Sequence, residues 1–280
     1  MLTGTGYFMT TGNIVKMSTE IGDVVQYVLP IGKEKIAMNP LIGKPISMTY
    51  TGAINCVNCG KKTNKSYSQG HCFMCMKTLA SCDMCIMKPE TCHYDQGTCR
   101  EPDWGLAHCM KPHFVYLANS SGLKVGITRE TQIPTRWMDQ GAVEALPIAK
   151  VQTRLQVGLL EVAFKSHIND KTNWRKMLQN DLVDVDIQAK RDELFELCKN
   201  EISNLQDRYG ESDIVLVEDA DIVKIQYPVL EYPEKVKSFN FDKTPEVSGI
   251  LKGIKGQYLI LDSGVLNLRK FSGYELTFDA

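Results

Sequence analysis

Nine of the ten cysteines fall between Cys56 and Cys109, and several of them stand as Cys-x-x-Cys pairs. Such a turn sets two sulfurs on one side of the backbone, and two turns together supply the four ligands that a tetrahedral zinc ion takes. Cys56-Val-Asn-Cys59 and Cys72-Phe-Met-Cys75 make one such set, separated by Gly60 and a Lys-Lys-Thr-Asn-Lys turn. With every position filled by protein there is no place for water, so a metal held there is structural. A second set follows at once: Cys82-Asp-Met-Cys85, then Cys92, Cys99 and Cys109. Cys82, Cys85, Cys92 and Cys99 are expected to hold a second zinc, with His93 and Cys109 as alternates. The competing explanations are ordinary burial of small thiols and an iron–sulfur cluster used for electron transfer or redox sensing. Cys198, alone in a helical stretch, is assigned to the core.

The elements that position these groups are short. After the cysteines, His113-Phe-Val-Tyr-Leu-Ala-Asn and Leu-Lys-Val-Gly-Ile-Thr-Arg129 are apolar runs joined by Ser-Ser-Gly, which predicts a β-hairpin. Pro134 opens a helical stretch holding Arg136 and Trp137, and residues 146–152 predict a third strand. Residues 154–168 and 187–209 carry helical spacing, with Glu161 inside the first. Towards the two ends, residues 23–29, 45–50, 214–217, 222–227, 258–261 and 265–268 are strand-like runs punctuated by Gly and Pro. A β segment of about fifty residues is marginal alone, so the two ends are expected to pair into one small barrel or sandwich that brackets the middle.

The order strand, strand, helix, strand, helix after Cys109 resembles the GIY-YIG nuclease superfamily over roughly residues 113–180. Val115-Tyr116 stands where the first motif sits and Lys124-Val125-Gly126 where the second sits, followed by Arg136 and then the helical Glu161. Phe114 replaces the first Gly, and Lys124 replaces the second motif's Tyr, as in a branch of the family that reads Lys-Ile-Gly. The resemblance implies a metal-dependent phosphodiesterase. In it Tyr116 assists deprotonation of the attacking water, Arg136 steadies the phosphate, and Glu161 holds one Mg or Mn ion. Lys124 becomes a candidate base if burial or neighbouring cations lower its pKa. More broadly, the cysteine clusters running into Val-Tyr-Leu-Ala, Lys-Val-Gly-Ile-Thr, Arg-Trp-Met-Asp-Gln-Gly-Ala and Lys-Thr-Asn-Trp-Arg resemble an uncharacterised family of bacterial proteins.

Arg129 is a candidate second phosphate contact, and Trp137, Asn173 and Arg175 are candidates for clamping a nucleic acid, RNA or DNA, by stacking and charge. The alternative for Trp137 and Trp174 is core packing between helices. The net charge of -1 excludes a bulk polyanion binder, although residues 53–140 hold ten Lys/Arg against seven Asp/Glu. No apolar run spans a membrane, and residues 1–6 lack a basic start followed by an apolar run, so a cytoplasmic protein is expected.

The expected architecture is α+β. It has a β-rich N-terminal segment (1–52), Cys-rich zinc-ribbon-like modules (53–112), a GIY-YIG-like α/β domain (113–212) and a β-rich C-terminal segment (213–280). The expected function is nucleic-acid processing. A non-catalytic RNA- or DNA-binding module and an iron–sulfur redox protein are the alternatives, and oligomeric state is not legible.

Overall fold

The computed structural model describes residues 8–280; the opening stretch read above for a leader lies outside the described residues. Five strands come first: β1 (Met9–Asn13), β2 (Ser18–Glu20), β3 (Gln26–Ile31), β4 (Glu34–Ala37) and β5 (Pro45–Ile54). The Cys-rich stretch holds two short helices, α1 (Phe73–Thr78) and α2 (Pro102–His108). Between them lie 3-10 turns at Ala80–Cys82, Met84–Ile86, Pro89–Thr91 and Tyr94–Gln96. Next come β6 (His113–Asn119), β7 (Leu123–Arg129), α3 (Thr135–Asp139), β8 (Glu144–Val151), α4 (Arg154–Lys165) and α5 (Trp174–Gln179). They are followed by α6 (Ile187–Leu197), α7 (Lys199–Tyr209), β9 (Ile214–Leu216) and β10 (Val223–Lys224). The chain closes on β11 (Glu246–Lys255), β12 (Tyr258–Leu261), β13 (Gly264–Asn267) and β14 (Tyr274–Asp279). The protein is a mixed α+β structure with three sheets.

The chain forms two compact units, one taking the chain up to Met76 together with Gln226–Ala280, the other Lys77–Ile225. In the first, the two chain ends share one six-stranded sheet of order β1-β14-β5-β11-β12-β13, beside the small sheet β2-β3-β4. β5 lies between β14 and β11, so Thr49 faces Thr277 on one side and Glu246 on the other. Along β14 the side chains alternate, with Tyr274, Leu276 and Phe278 buried, as expected of a strand with one face on a core.

The second unit is built on β10-β8-β6-β7, with β9 also paired to β8. β6 is the middle strand, and six of its seven residues are buried, which explains the nearly unbroken apolar run Val115-Tyr-Leu-Ala118. Helix α4 covers this sheet with Val157, Leu160 and Phe164. Its start is fixed by a capping box: Thr153 Oγ1 accepts from the Gln156 N–H (3.3 Å), and Gln156 Oε1 accepts from the Thr153 N–H (2.8 Å).

Three local expectations differ from what is observed. The helical stretch 187–209 is two helices, α6 and α7, meeting at Cys198, whose buried thiol lies 3.6 Å from the Ala163 carbonyl of α4. The 222–227 run keeps only Val223–Lys224 in the sheet, and β11, with Gly249 and Gly253 in it, carries no clear strand pattern in the sequence.

Candidate metal centre and active site

The first Cys-x-x-Cys turn begins two residues after β5 ends. The Cys56 N–H donates to the Lys61 carbonyl (2.9 Å) and the Gly60 N–H to the Cys56 carbonyl (2.9 Å), with Gly60 at φ 71°, a conformation glycine takes without a Cβ penalty. The second turn is pinned to the first by the Val57 N–H to the Gly70 carbonyl (3.0 Å), and Cys75 then sits in α1.

The four ligand atoms of Cys56, Cys59, Cys72 and Cys75 all lie within 4.8 Å of one another, and the Cys59 and Cys72 sulfurs are 3.8 Å apart. A tetrahedron with Zn–S bonds of ~2.3 Å separates its sulfurs by roughly 3.8 Å, whereas a disulfide needs about 2 Å. The group therefore fits a single tetrahedral ion, and this four-cysteine site could hold a metal such as zinc. Burial pushes the Cys56 thiol up, but the backbone N–H groups of Cys59, Cys72 and Asn58 outweigh it and bring it to about 6. For Cys75 the Asn58 amide pulls downward, yet burial and proton sharing with Cys72, Cys59 and Cys56 carry it to about 12. Four thiols so close cannot ionise together without a cation among them.

The later cysteines are placed differently. Cys85, Cys92, Cys99 and Cys109 line one small cavity, with Asp83 and His93 at its wall; Cys82 does not line it. Cys82 and Cys85 belong to separate 3-10 turns with the extended Asp83 between them (φ -66°, ψ 155°), so the pair does not form a knuckle like Cys56–Cys59. Cys198 is buried in the core of the second unit, as its helical setting implies.

A polar cluster sits inside the second unit. Tyr116 is fully buried on β6, opposite Gly126 of β7. A Cβ on Gly126 would come 2.7 Å from the tyrosine Cζ and Oη, so the absence of a side chain there makes room for the ring. On the other side Tyr116 faces Pro147 of β8, where the register shifts; proline has no N–H to give the ladder, and a bulge accommodates it. The Tyr116 hydroxyl donates to Gln140 Oε1 (3.0 Å), and Lys124 Nζ donates to the same oxygen (2.7 Å). The Arg136 charge acts on Tyr116.

Charges in this cluster are perturbed by their setting. Burial holds the Tyr116 phenol above its usual range, so it is a neutral donor near pH 7. Burial, helped by the Arg136 charge, lowers Lys124 to about 8. Burial raises the Glu161 carboxyl, partly opposed by Lys165, whose Nζ lies 3.3 Å from Glu161 and 3.5 Å from Asp170. The charge of Glu161 reaches both Tyr116 and Lys124. Of the four sequence-predicted residues, Tyr116 and Lys124 meet on Gln140 Oε1, and Arg136 and Glu161 act on them through their charges.

Gln140, the acceptor shared by two of them, lies in the Arg-Trp-Met-Asp-Gln-Gly-Ala stretch of the wider resemblance but has no part in the GIY-YIG pattern; Gly141 after it, at φ 70°, ends the α3 turn.

The residues expected to clamp nucleic acid divide. Trp137 is 1% exposed and set edge-on against Tyr116 (5.9 Å between centroids), so it is part of the core and offers no face to a base. Asn173 caps α5, and the exposed Arg175 lies over the Trp174 ring at 4.3 Å. Met177 of the same helix would meet any Cβ on Gly141, beside Gln140. Arg129 pairs with His113 at the opposite end of the hairpin from the Ser120–Gly122 turn, near Arg154 and Cys109.

A family described as "Protein of unknown function (DUF2797)" matches residues 43–276, most of the chain. The chain belongs to the DUF2797 family. The match takes in both groups of cysteines and the whole of the polar cluster. No curated protein and no solved structure matches this DUF2797 chain. Among its described residues no helix is long and apolar enough to cross a membrane.

Proposed function

We propose that this DUF2797 protein is a zinc-containing nucleic-acid-processing protein, with one zinc on Cys56, Cys59, Cys72 and Cys75 and a second among the cysteines that follow. In the same reading, its Tyr116 cluster is a GIY-YIG-like, divalent-cation-dependent phosphodiesterase site. The observation that carries it is the convergence of Tyr116 and Lys124 on Gln140 Oε1, with the Arg136 and Glu161 charges within electrostatic reach of both. Phosphodiester hydrolysis needs a group to take a proton from water, a cation for the charge that develops on phosphorus, and an oxygen ligand for a divalent ion. In this reading Lys124, lowered to about 8, accepts a proton from water, and the Tyr116 phenol, whose one proton goes to Gln140, assists by accepting a hydrogen bond from that water. Arg136 supplies the cation, and Glu161 is the ligand for Mg or Mn, which would polarise the leaving oxygen.

Asn173 and Arg175 on α5 are the surface contacts proposed for RNA or DNA, with Arg129 as a further phosphate contact. A second reading, binding without cleavage, is favoured by one feature: Lys165 already neutralises Glu161 and competes with a metal ion for it. The test is incubation of the purified protein with labelled RNA and DNA in Mg or Mn, beside Glu161→Gln and a mobility-shift control. Cleavage that Glu161→Gln abolishes supports the phosphodiesterase. Shifted but uncut substrate supports the binding module, and neither signal refutes the nucleic-acid reading.

A further inference from the structure

The 77–225 unit contains a stretch with little to hold it in place. From Leu79 to Glu101 the chain makes only single 3-10 turns, and its buried residues are few: Ala80, Cys85 and Pro89. A segment with so small an apolar core is normally stapled by a metal or a disulfide. Here the thiols of Cys85, Cys92, Cys99 and Cys109 surround one cavity of about 10 Å³, the space of a single small sphere.

We propose that Cys85, Cys92, Cys99 and Cys109 form a second, tetrathiolate zinc site, which fastens the Cys-rich segment to the start of α4. It rests on the zinc reading above and is independent of the phosphodiesterase reading. Asp83, Cys85 and His93 also bring ligand atoms within 4.8 Å of one another, but two of these are already engaged. The Asp83 carboxylate is 2.6 Å from the Arg100 guanidinium, and His93 Nδ1 is 2.7 Å from Thr98 Oγ1. Zinc prefers soft sulfur donors, and four thiols give it a closed shell. They ring the cavity more loosely than the first four-cysteine group, and rotation about Cα–Cβ closes such a ring on an ion.

Charge points the same way. Zinc binding by four thiols releases four protons to solvent and leaves a centre of net charge -2. The Arg154 guanidinium, hydrogen-bonded to the Cys85 and Ile86 carbonyls, sets a cation against that centre.

The attachment to α4 is direct. Arg154, the first residue of the helix, donates from Nε to the Cys85 carbonyl (3.3 Å) and from Nη2 to the Ile86 carbonyl (2.7 Å). Its backbone N–H donates to the Cys109 carbonyl (2.8 Å). One turn on, Gly158 lies against the Pro89–Thr91 turn so closely that a Cβ would fall 2.3 Å from the Glu90 nitrogen. The site therefore holds the end of the helix that carries Glu161.

The test is metal content of the full-length protein by elemental analysis, with cadmium NMR of the exchanged wild type. Two zinc per chain are expected, falling to one in Cys109→Ser and staying at two in Cys82→Ser. Cadmium is expected to give two resonances in the all-sulfur range, a readout that needs no variant to fold. One zinc in the wild type overturns the second site while leaving the first. None overturns the zinc reading as a whole. Two zinc in Cys109→Ser, a cadmium resonance of mixed sulfur, nitrogen and oxygen ligation, or stoichiometric iron and sulfide after anaerobic purification each overturns the ligand set.

Discussion

Replacing Gly158 by alanine tests how closely α4 and the Cys-rich segment are joined. In an exposed helix this change is stabilising, because alanine is better in a helix interior by about 1 kcal/mol. Here the new methyl would sit 2.3 Å from the Glu90 nitrogen and 2.5 Å from the Pro89 carbonyl carbon. Non-bonded heavy atoms rest at about 3.5–4.0 Å, so the two backbones must separate by more than about 1 Å. Neither atom can rotate away, which puts the cost at the upper end of the ~1–3 kcal/mol range for overpacking. Set against the gain in helix preference, the net loss is about 2 kcal/mol, or a fall of roughly 4–8 °C in melting temperature for a unit of this size. The assay is thermal unfolding by circular dichroism with zinc present, together with hydrogen exchange over residues 79–101, where protection is expected to drop. A melting temperature that rises by a few degrees, as helix preference alone dictates, would refute the close approach and the fastening role given to α4.

Tyr116→Phe keeps the ring that fills the space at Gly126 and removes the hydroxyl held by Gln140; cleavage is expected to fall by about 10²–10⁴-fold with stability within about 1–2 kcal/mol of wild type, checked by single-turnover cleavage and urea unfolding. If Lys124 accepts the proton, its neutral form is the active one, so the rate rises with pH, about tenfold per unit below pH 8, and levels off above it. Lys124→Arg, always charged, is expected to lose the activity at every pH; a flat profile in the wild type rules Lys124 out as the base. Chelation of the metal at Cys56, Cys59, Cys72 and Cys75 is expected to open the knuckle turns to trypsin at the exposed Lys61, Lys62 and Lys65, with zinc restoring protection; unchanged digestion would mean that the metal does not hold these turns.

The elements that were legible are those whose pattern is local. The hairpin of β6 and β7 announces itself by two apolar runs and a Ser-Ser-Gly turn, and α4 by its period and its Thr153–Gln156 cap. Less legible were features decided by residues far apart in the chain. β11 is interrupted by Gly249 and Gly253, the latter pressed against Val229, and it becomes a strand by lying along β5, some two hundred positions earlier. Trp137 carries the chemistry of a stacking residue, yet the short α3 turns it inward onto Tyr116. Gln140 sits in a stretch shared with the wider family, but only the meeting of a phenol and an ammonium on its oxygen gives it a part. Among the cysteines, nearness in sequence suggested Cys82 with Cys85, whereas the 3-10 turns direct Cys85 towards Cys92, Cys99 and the distant Cys109.

The sharing of one sheet by both chain ends bears on how this protein is made. β5, a ten-residue strand, leaves the ribosome long before either of its neighbours exists, because about 150 residues of the second unit separate it from the strands that return. β11 and β14 follow it by about 190–220 residues, so at the usual ~5–20 residues per second the wait is roughly 10–45 s, during which two bare strand edges are open to other chains. The intervening unit has all of its own partners within one continuous stretch and can close while synthesis continues. The cell therefore receives a protein whose middle is ready first and whose beginning is completed last, and the N-terminal strands are where a chaperone would have most to do.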